Sequence, residues 1–321
     1  MSEWSRIFKY AVVDIGANSV RMHVYDITQT GAFSVSASAR SMLGLAAYAQ
    51  DGMLTPDGCG KLYAVLREFL ARANSIPCDG FSAFATASLR GLSNSDKILR
   101  EIKDRLGIDV EIISGETEAS YDFAAIRYRF PSATHGILID MGGGSTEIVR
   151  FDGEIVLHAV SLPIGCVMLM KRFTACTKKN PFPTETEIAA IRAYVRETLA
   201  GYPMFTNVGG EAYLIGGTAR AAAKLRAAAE GLPAPSDGDA FSSEDMKKTA
   251  DAAFCDIRLG GNRIREIVPD RITSVIPGLA AYREIADYTG VSRFVLSTAG
   301  VREGYMIDYI MKNFPQKFQE F

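Results

Sequence analysis

The stretch Gly136-Ile137-Leu138-Ile139-Asp140-Met141-Gly142-Gly143-Gly144-Ser145-Thr146-Glu147-Ile148-Val149-Arg150 decides how the chain is read. Gly136 to Ile139 is short and apolar, the pattern of a fully buried strand, and it ends in Asp140. Glycine takes positive φ without steric cost. Consecutive N–H groups of Gly142, Gly143 and Gly144 are therefore expected to point into one concavity and bind phosphate oxygens, with Ser145 adding a hydroxyl. Asp140 stands at the mouth of that concavity. Glu147, Ile148 and Val149 then alternate out of the turn as a second strand, so the element is a hairpin. A Walker-type loop is excluded, since it needs a helix after the turn and Lys after its last glycine. Taken alone, the turn serves equally well as a tight connection that binds nothing.

A second hairpin changes that balance. Ala11-Val12-Val13-Asp14-Ile15-Gly16-Ala17-Asn18-Ser19-Val20-Arg21 repeats the layout: an apolar strand, an Asp, a glycine turn with Ser, and a strand through Met22, Val24 and Ile27. An ordinary Asn-containing hairpin turn accounts for one copy. It does not account for two, because turn chemistry alone gives no reason for Asp at the strand end both times.

The rest of the chain repeats too. Phe33 to Ala39 alternates as a third strand, and Thr55-Pro56 opens a helix through Leu62, Val65, Leu66, Phe69 and Leu70. A strand at Phe81 to Ala85 leads to a helix capped by Ser93 or Ser95. Then come a strand at Val110 to Ile113 and a helix from Ser114 to about Tyr128. The order begins again with strands at Gly136 to Met141, Thr146 to Phe151 and Ile155 to Val160 and a helix at Val167 to Phe173. Thr184 with Glu187 forms a capping box for the next helix, which Gly201 ends. A strand at Ala212 to Ile215 meets Gly216-Gly217-Thr218 and an Ala-rich helix, and Gly231 to Ser243 reads as a surface loop. Helices near Asp245 to Arg258 and Ser274 to Tyr288, a strand at Phe294 to Ser297 and a last helix from Arg302 complete the chain. Two similar α/β halves, each led by a hairpin that presents an Asp, imply a ligand held in a cleft between them.

Composition narrows the function. The chain has 321 residues, long enough for two domains, with 48% hydrophobic and 22% charged residues and a net charge of -2. No basic field exists for nucleic acid or an anionic membrane, so an anionic ligand has to be held by local donors and metal. Cys59, Cys78, Cys166, Cys176 and Cys255 are scattered and odd in number, which suits a reducing cytoplasm. His23, His135 and His158 are too dispersed for a zinc site, and His23 reads as a plain strand residue. MSEWSRIFKY has no signal-peptide pattern, and no apolar run reaches the length of a membrane span.

Five motifs together resemble one family. Val13 to Ser19, Ala85-Thr86-Ala87-Ser88-Leu89-Arg90, Ile113-Ser114-Gly115-Glu116-Thr117-Glu118-Ala119, Ile139 to Glu147 and Arg302-Glu303-Gly304 are similar, in order and almost end to end, to those of the exopolyphosphatase and guanosine pentaphosphate phosphohydrolase family. The resemblance implies an α/β, two-domain actin-like ATPase (ribonuclease H-like) fold with a central interdomain cleft. It implies one half at 1–128, joined by the C-terminal helix at 302–321, and the other at 129–301. It also implies a short member without further helical domains, a magnesium cofactor with an assisting monovalent cation left open, and a homodimer left open. Glu118 takes the place of the catalytic glutamate and Arg90 that of the arginine of the Ala-Thr motif. Asp140 matches the magnesium-linked carboxylate, with Asp14 and Glu147 as further candidate ligands. Ala17 replaces a usual Ser, Thr117 a usual Glu, and Ser297-Thr298-Ala299-Gly300 stands where an Asp-Gly pair is usual.

The chemistry agrees with these residue types. Cleaving a terminal phosphoanhydride needs charge neutralisation, in-line water and a group to orient it. Asp14, Gly16, Asn18, Ser19 and Arg21 would grip phosphate from the first hairpin, and Gly142, Gly143, Gly144 and Ser145 from the second. Arg21 or Arg90 can add a fork of donors. Asp14, Asp140 and Glu147 are hard ligands of the kind magnesium takes. Glu118 would direct the water. Gly216, Gly217 and Thr218 occupy the position where kinases of this fold hold adenosine, or form a plain strand-to-helix turn. Inorganic polyphosphate is the leading substrate and guanosine pentaphosphate the alternative. A kinase is disfavoured because water activation would waste the phosphoryl group, and retention of Glu118 with Asp140 argues against a non-catalytic sensor.

Overall fold

In the computed structural model, which describes residues 7–177 and 179–314, the chain divides into two compact units. The first runs to Tyr121 and resumes at Val301, and the second is Asp122–Gly300. The opening positions 1–6, and positions 315–321 of the expected terminal helix, lie outside the described residues.

Unit 1 begins with β1 (Phe8–Ile15), β2 (Val20–Ile27) and β3 (Phe33–Ser41), then a small hairpin of β4 (Ala49–Gln50) and β5 (Met53–Leu54). It continues through α1 (Pro56–Ser75), β6 (Gly80–Ala85), α2 (Ser95–Leu106), β7 (Val110–Ile112) and the start of α3 (Gly115–Arg129). The sheet order is β3-β2-β1-β6-β7, antiparallel across the first three strands and parallel from β1 onward. β1 is buried on both faces, which is why it is a continuous apolar run. Ala11, Val13 and Ile15 pack with Leu62, Leu66 and Phe69 of α1 and Ile98 and Ile102 of α2, while Tyr10 and Val12 face the other way. Each such large side chain contributes roughly 1.5–3 kcal/mol by leaving water.

Two caps in this unit show local and tertiary effects side by side. The Thr55 hydroxyl accepts from the Gly58 N–H at 3.2 Å, as its position before Pro56 predicts. For α2 the cap is neither Ser93 nor Ser95 but Asn94, and its side chain does not cap. Its amide instead pairs both ways with the Leu54 backbone, at 3.0 and 2.9 Å, so a tertiary bond wins over capping.

Unit 2 contains β8 (His135–Met141), β9 (Thr146–Asp152), β10 (Ile155–Leu162), α4 (Cys166–Phe173), α5 (Glu185–Ala200), β11 (Glu211–Ile215) and α6 (Gly216–Glu230). β12 (Ala240–Ser242), α7 (Ser243–Arg258), α8 (Asn262–Ile267), α9 (Val275–Thr289) and β13 (Arg293–Leu296) follow. Its sheet, β10-β9-β8-β11-β13-β12, repeats the order of the first sheet and adds β12 at the edge. This duplicated arrangement, a three-strand antiparallel meander continued by parallel strands, is the two-domain actin-like fold. β12 lies inside the stretch 231–243 expected to be a loop. It pairs antiparallel with β13, and a strand of three residues is too short to show a period. The Thr184–Glu187 capping box forms as expected, and Ser242 with Asp245 makes a second.

α10 (Val301–Asn313) belongs to unit 1. Val301, Met306 and Ile310 pack against Tyr10, Val12, Tyr25 and Phe84, and Tyr309 lies 4.1 Å from the Tyr10 ring. Gly304 is needed there because a Cβ would sit 1.8 Å from the Tyr121 carbonyl oxygen. The division between the units falls inside α3, after Tyr121 and not after position 128.

Candidate active site

The two hairpin turns are built alike. In the first, the Gly16 N–H bonds the Ser19 carbonyl at 3.1 Å; in the second, the Gly142 N–H bonds the Ser145 carbonyl at 3.0 Å. Each turn is braced through its carbonyls. Those of Ala17 and Asn18 accept from Ala46 and Gly44, and those of Gly142 and Gly143 accept from Cys166, Val167 and Met168 at the start of α4. In a trans peptide the C=O and N–H point in opposite directions. The N–H groups of Asn18 and Ser19, and those of Gly143 and Gly144, therefore turn away from their braces, as anion-binding turns require.

The second turn does not use the positive φ expected of its glycines. Gly142, Gly143 and Gly144 are not among the glycines with positive φ. The glycine that close approach does require lies opposite the turn: a Cβ on Gly165 would lie 2.3 Å from both the Gly143 oxygen and the Gly144 carbonyl carbon. The α4 start reaches the turn because no side chain intervenes.

In unit 1 the residues expected to act together stand at the C-terminal ends of β1, β6 and β7. The Ser88 hydroxyl donates to the Ile15 carbonyl, and the Arg90 N–H bonds the Thr86 carbonyl, tying the Ala-Thr turn to the first hairpin. Arg90 Nη2 lies 3.2 Å from Glu118 Oε2, and its Nη1 donates to the Ile113 carbonyl at 3.1 Å. Glu118 is 7% exposed on the first turn of α3, whose start is held by Ser114 Oγ accepting from the Thr117 N–H at 3.0 Å. Thr117 joins that cap through its hydroxyl at 2.9 Å from Ser114 Oγ. Arg21 is the direct cross-strand partner of Asp14, and its Nε donates to Ser19 Oγ at 3.1 Å. Asp14 also receives a hydrogen bond from Arg302 at 2.9 Å.

Sequence reasoning missed a buried network behind Asp14. Glu303 Oε1 accepts from the Tyr25 hydroxyl at 2.9 Å and lies 3.1 Å from His23 Nδ1. His23 is therefore part of the site's support and not a plain strand residue. Burial alone would raise the Glu303 pKa, but the His23 hydrogen bond and the Arg302 charge outweigh it and hold the carboxyl down to about 2. Burial pushes the Tyr25 hydroxyl well above its ordinary value, and Glu303 pushes the same way. The Arg302-Glu303-Gly304 motif was the one sequence signal for this network.

In unit 2, Asp140 and Glu147 are direct cross-strand partners and so share one face of the sheet. Glu147 is 1% exposed and accepts from Ser161 Oγ at 2.6 Å. The same hairpin position that carries Arg21 in the first copy carries this carboxylate in the second. Gly216, at φ 93°, passes so close that a Cβ would lie 2.6 Å from Asp140 Oδ1. The Arg271 guanidinium covers Gly217, and Thr218 Oγ1 is buried with no hydrogen-bond partner among the described residues. Among the described residues no group of three or more His, Cys, Asp and Glu forms a metal cage. Two adjacent carboxylates suit magnesium's own habit of keeping waters and phosphate oxygens in most of its shell, so Asp140 and Glu147 fit that ion. Among the described residues no helix is long and apolar enough to cross a membrane.

Comparison with known proteins places the chain. The family model described as the Ppx/GppA phosphatase family matches residues 24–313. The crystal structure of the Aquifex aeolicus member of the Ppx/GppA family is similar with a TM-score of 0.77 and 25% identity, over 96% of this chain and 99% of that one. An exopolyphosphatase from Cytophaga hutchinsonii ATCC 33406 has the same fold, with a TM-score of 0.82 and 21% identity over 94% of this chain and 98% of that one.

Proposed function

Since the chain belongs to the Ppx/GppA phosphatase family and is a phosphoanhydride hydrolase, we propose that it releases terminal orthophosphate from inorganic polyphosphate by in-line attack of a water that Glu118 directs. The observation that carries this reading is the Arg90–Glu118 pair at 3.2 Å, which fixes a nearly buried carboxylate at a helix start. The candidate phosphate-binding groups are, in each unit, turn N–H donors and a serine, Ser19 in unit 1 and Ser145 in unit 2, with Arg21 beside the first. None of them needs a base or a sugar, so a bare phosphoanhydride chain end satisfies them.

Each residue has a separate task. In unit 1 the outward N–H groups of Asn18 and Ser19 bind phosphate oxygens and Arg21 adds charge; in unit 2 the N–H groups of Gly143 and Gly144 are donors of the same kind. Glu118, held in place by Arg90, accepts a hydrogen bond from the attacking water and takes its proton as the P–O bond to the rest of the chain breaks. Asp140 and Glu147 would hold magnesium, which when bound neutralises charge on the phosphate oxygens.

A second reading is conversion of guanosine pentaphosphate to guanosine tetraphosphate, favoured by Arg271. Its guanidinium lies over Gly217, in the position where related kinases hold a nucleoside, and guanidinium planes stack on bases. Phosphate release from polyphosphates of several lengths, guanosine pentaphosphate and ATP, with and without magnesium, tests both. Release from polyphosphate that stops on adding a chelator supports the leading reading. Release from guanosine pentaphosphate alone selects the second, and none from any substrate overturns both.

A further inference from the structure

Asp14 is held in a way that its place in the turn does not require. Arg302, on the first turn of α10, donates from Nη1 to Asp14 Oδ2 at 2.9 Å, and the two side chains are only 9% and 13% exposed. The other carboxylate oxygen, Oδ1, lies 3.9 Å from where a Cβ on Gly16 would stand, so it faces the phosphate-binding turn. The guanidinium also feels the carboxylate of Glu303, which His23 and Tyr25 fix. Arg302 Nε is buried and has no hydrogen-bond partner among the described residues. A buried arginine with an unmatched N–H is costly unless its geometry serves a purpose.

Anchoring α10 is not that purpose. The helix is already seated by Met306 and Ile310 and by ring contacts of Tyr309 on Tyr10 and Tyr305 on Phe84, the latter at 5.2 Å. A buried ion pair commonly does no better for stability than apolar residues of the same volume. The arginine does, however, divide the two oxygens of Asp14 between a fixed donor and the turn.

We propose that Arg302 is a positioning residue that locks Asp14 through Oδ2, so that Oδ1 is presented to the phosphate-binding turn as a fixed acceptor. The inference rests on the hydrolase reading above. It acts through Asp14, so its effect belongs to turnover more than to substrate affinity.

The test compares Arg302→Met, Arg302→Lys, Asp14→Asn and the Arg302→Met/Asp14→Asn double variant for kcat and KM on polyphosphate, with thermal unfolding as the check on folding. Expected for Arg302→Met is a folded protein with kcat down roughly 100-fold and KM within about threefold, as for loss of a group that orients a reacting one. Arg302→Lys, which keeps the charge without the planar fork, recovers about tenfold of that loss. In the double variant the second change costs less than about threefold, because residues acting as a unit are not additive. Unimpaired kcat in a folded Arg302→Met variant overturns the inference, as does a double variant whose losses multiply. If Arg302→Met fails to fold, the Lys variant decides: full kcat there overturns the inference, and a kcat loss without a KM change supports it. Wild-type protein without phosphate release from any substrate overturns the hydrolase reading and this inference together, whereas active wild type with an unimpaired Met variant overturns this inference alone.

Discussion

Arg90 and Glu118 meet at 3.2 Å, with the other guanidinium arm bonded to the Ile113 carbonyl, so the carboxylate is held from a strand end and not by solvent. Glu118→Gln keeps the shape and the hydrogen bonding but removes the proton acceptor. Turnover is expected to fall about 100-fold or more, within the range general-base catalysis contributes. Binding of a substrate chain, read by calorimetry, stays within a few-fold of wild type. A Gln variant that turns over at the wild-type rate would remove Glu118 from its assigned role.

The Asp140–Glu147 pair predicts a metal-dependent defect. Glu147→Gln leaves a side chain that still accepts from Ser161 but carries no charge next to Asp140. The magnesium concentration for half-maximal activity is expected to rise roughly 10- to 100-fold, with maximal rate recovered in excess magnesium. Asp140→Ala is expected to abolish activity at any magnesium concentration. Magnesium titration of both variants makes the check, and an unchanged midpoint in Glu147→Gln removes it from the ligand set.

Acid stability follows from Glu303. Its carboxyl is held down to about 2 in the folded protein against 4.5 for an unperturbed group, so the folded state favours the ionised form. The stabilisation is present above about pH 4.5 and is lost as pH falls toward 2. At full strength it is on the order of 3 kcal/mol. Denaturant unfolding of wild type and Glu303→Gln should therefore differ most at neutral pH, with the gap closing between about pH 4.5 and pH 2. A gap that stays constant across that window contradicts the assignment.

Much of this was legible before any coordinates. The two Asp-and-glycine hairpins, the Thr55 cap and the Thr184–Glu187 box are local chemistry, fixed by residues a few positions apart. The Arg302–Asp14 bond joins positions 288 apart, and nothing local in an arginine at a helix start names its partner. His23 was misread for the same reason, since strand alternation says which face it takes but not that Glu303 waits there. Asn94 holds the cap position of α2 between the two serines, yet its side chain does not cap because it is claimed by Leu54 across the unit. The turn itself is legible, but the need for glycine at 165 is not, because the approach of Gly165 to the Gly143 and Gly144 backbone is a tertiary event.

That approach gives a last prediction, about a residue with no chemistry of its own. A methyl on Gly165 would lie 2.3 Å from the Gly143 oxygen and from the Gly144 carbonyl carbon, both backbone atoms that cannot rotate aside. Gly165→Ala must therefore push the start of α4 away from the turn and stretch the bonds that Cys166, Val167 and Met168 donate to its carbonyls. The strain is expected to cost about 1–3 kcal/mol of stability, typical of overpacking. Because those bonds aim the Gly143 and Gly144 N–H groups, KM for a phosphate substrate should rise with stability only partly reduced. Gly153→Ala serves as the control: a Cβ there meets nothing within 4 Å but its φ is 57°, so it strains the backbone without touching the turn. If the two variants lose stability alike and neither changes KM, the brace has no part in holding phosphate.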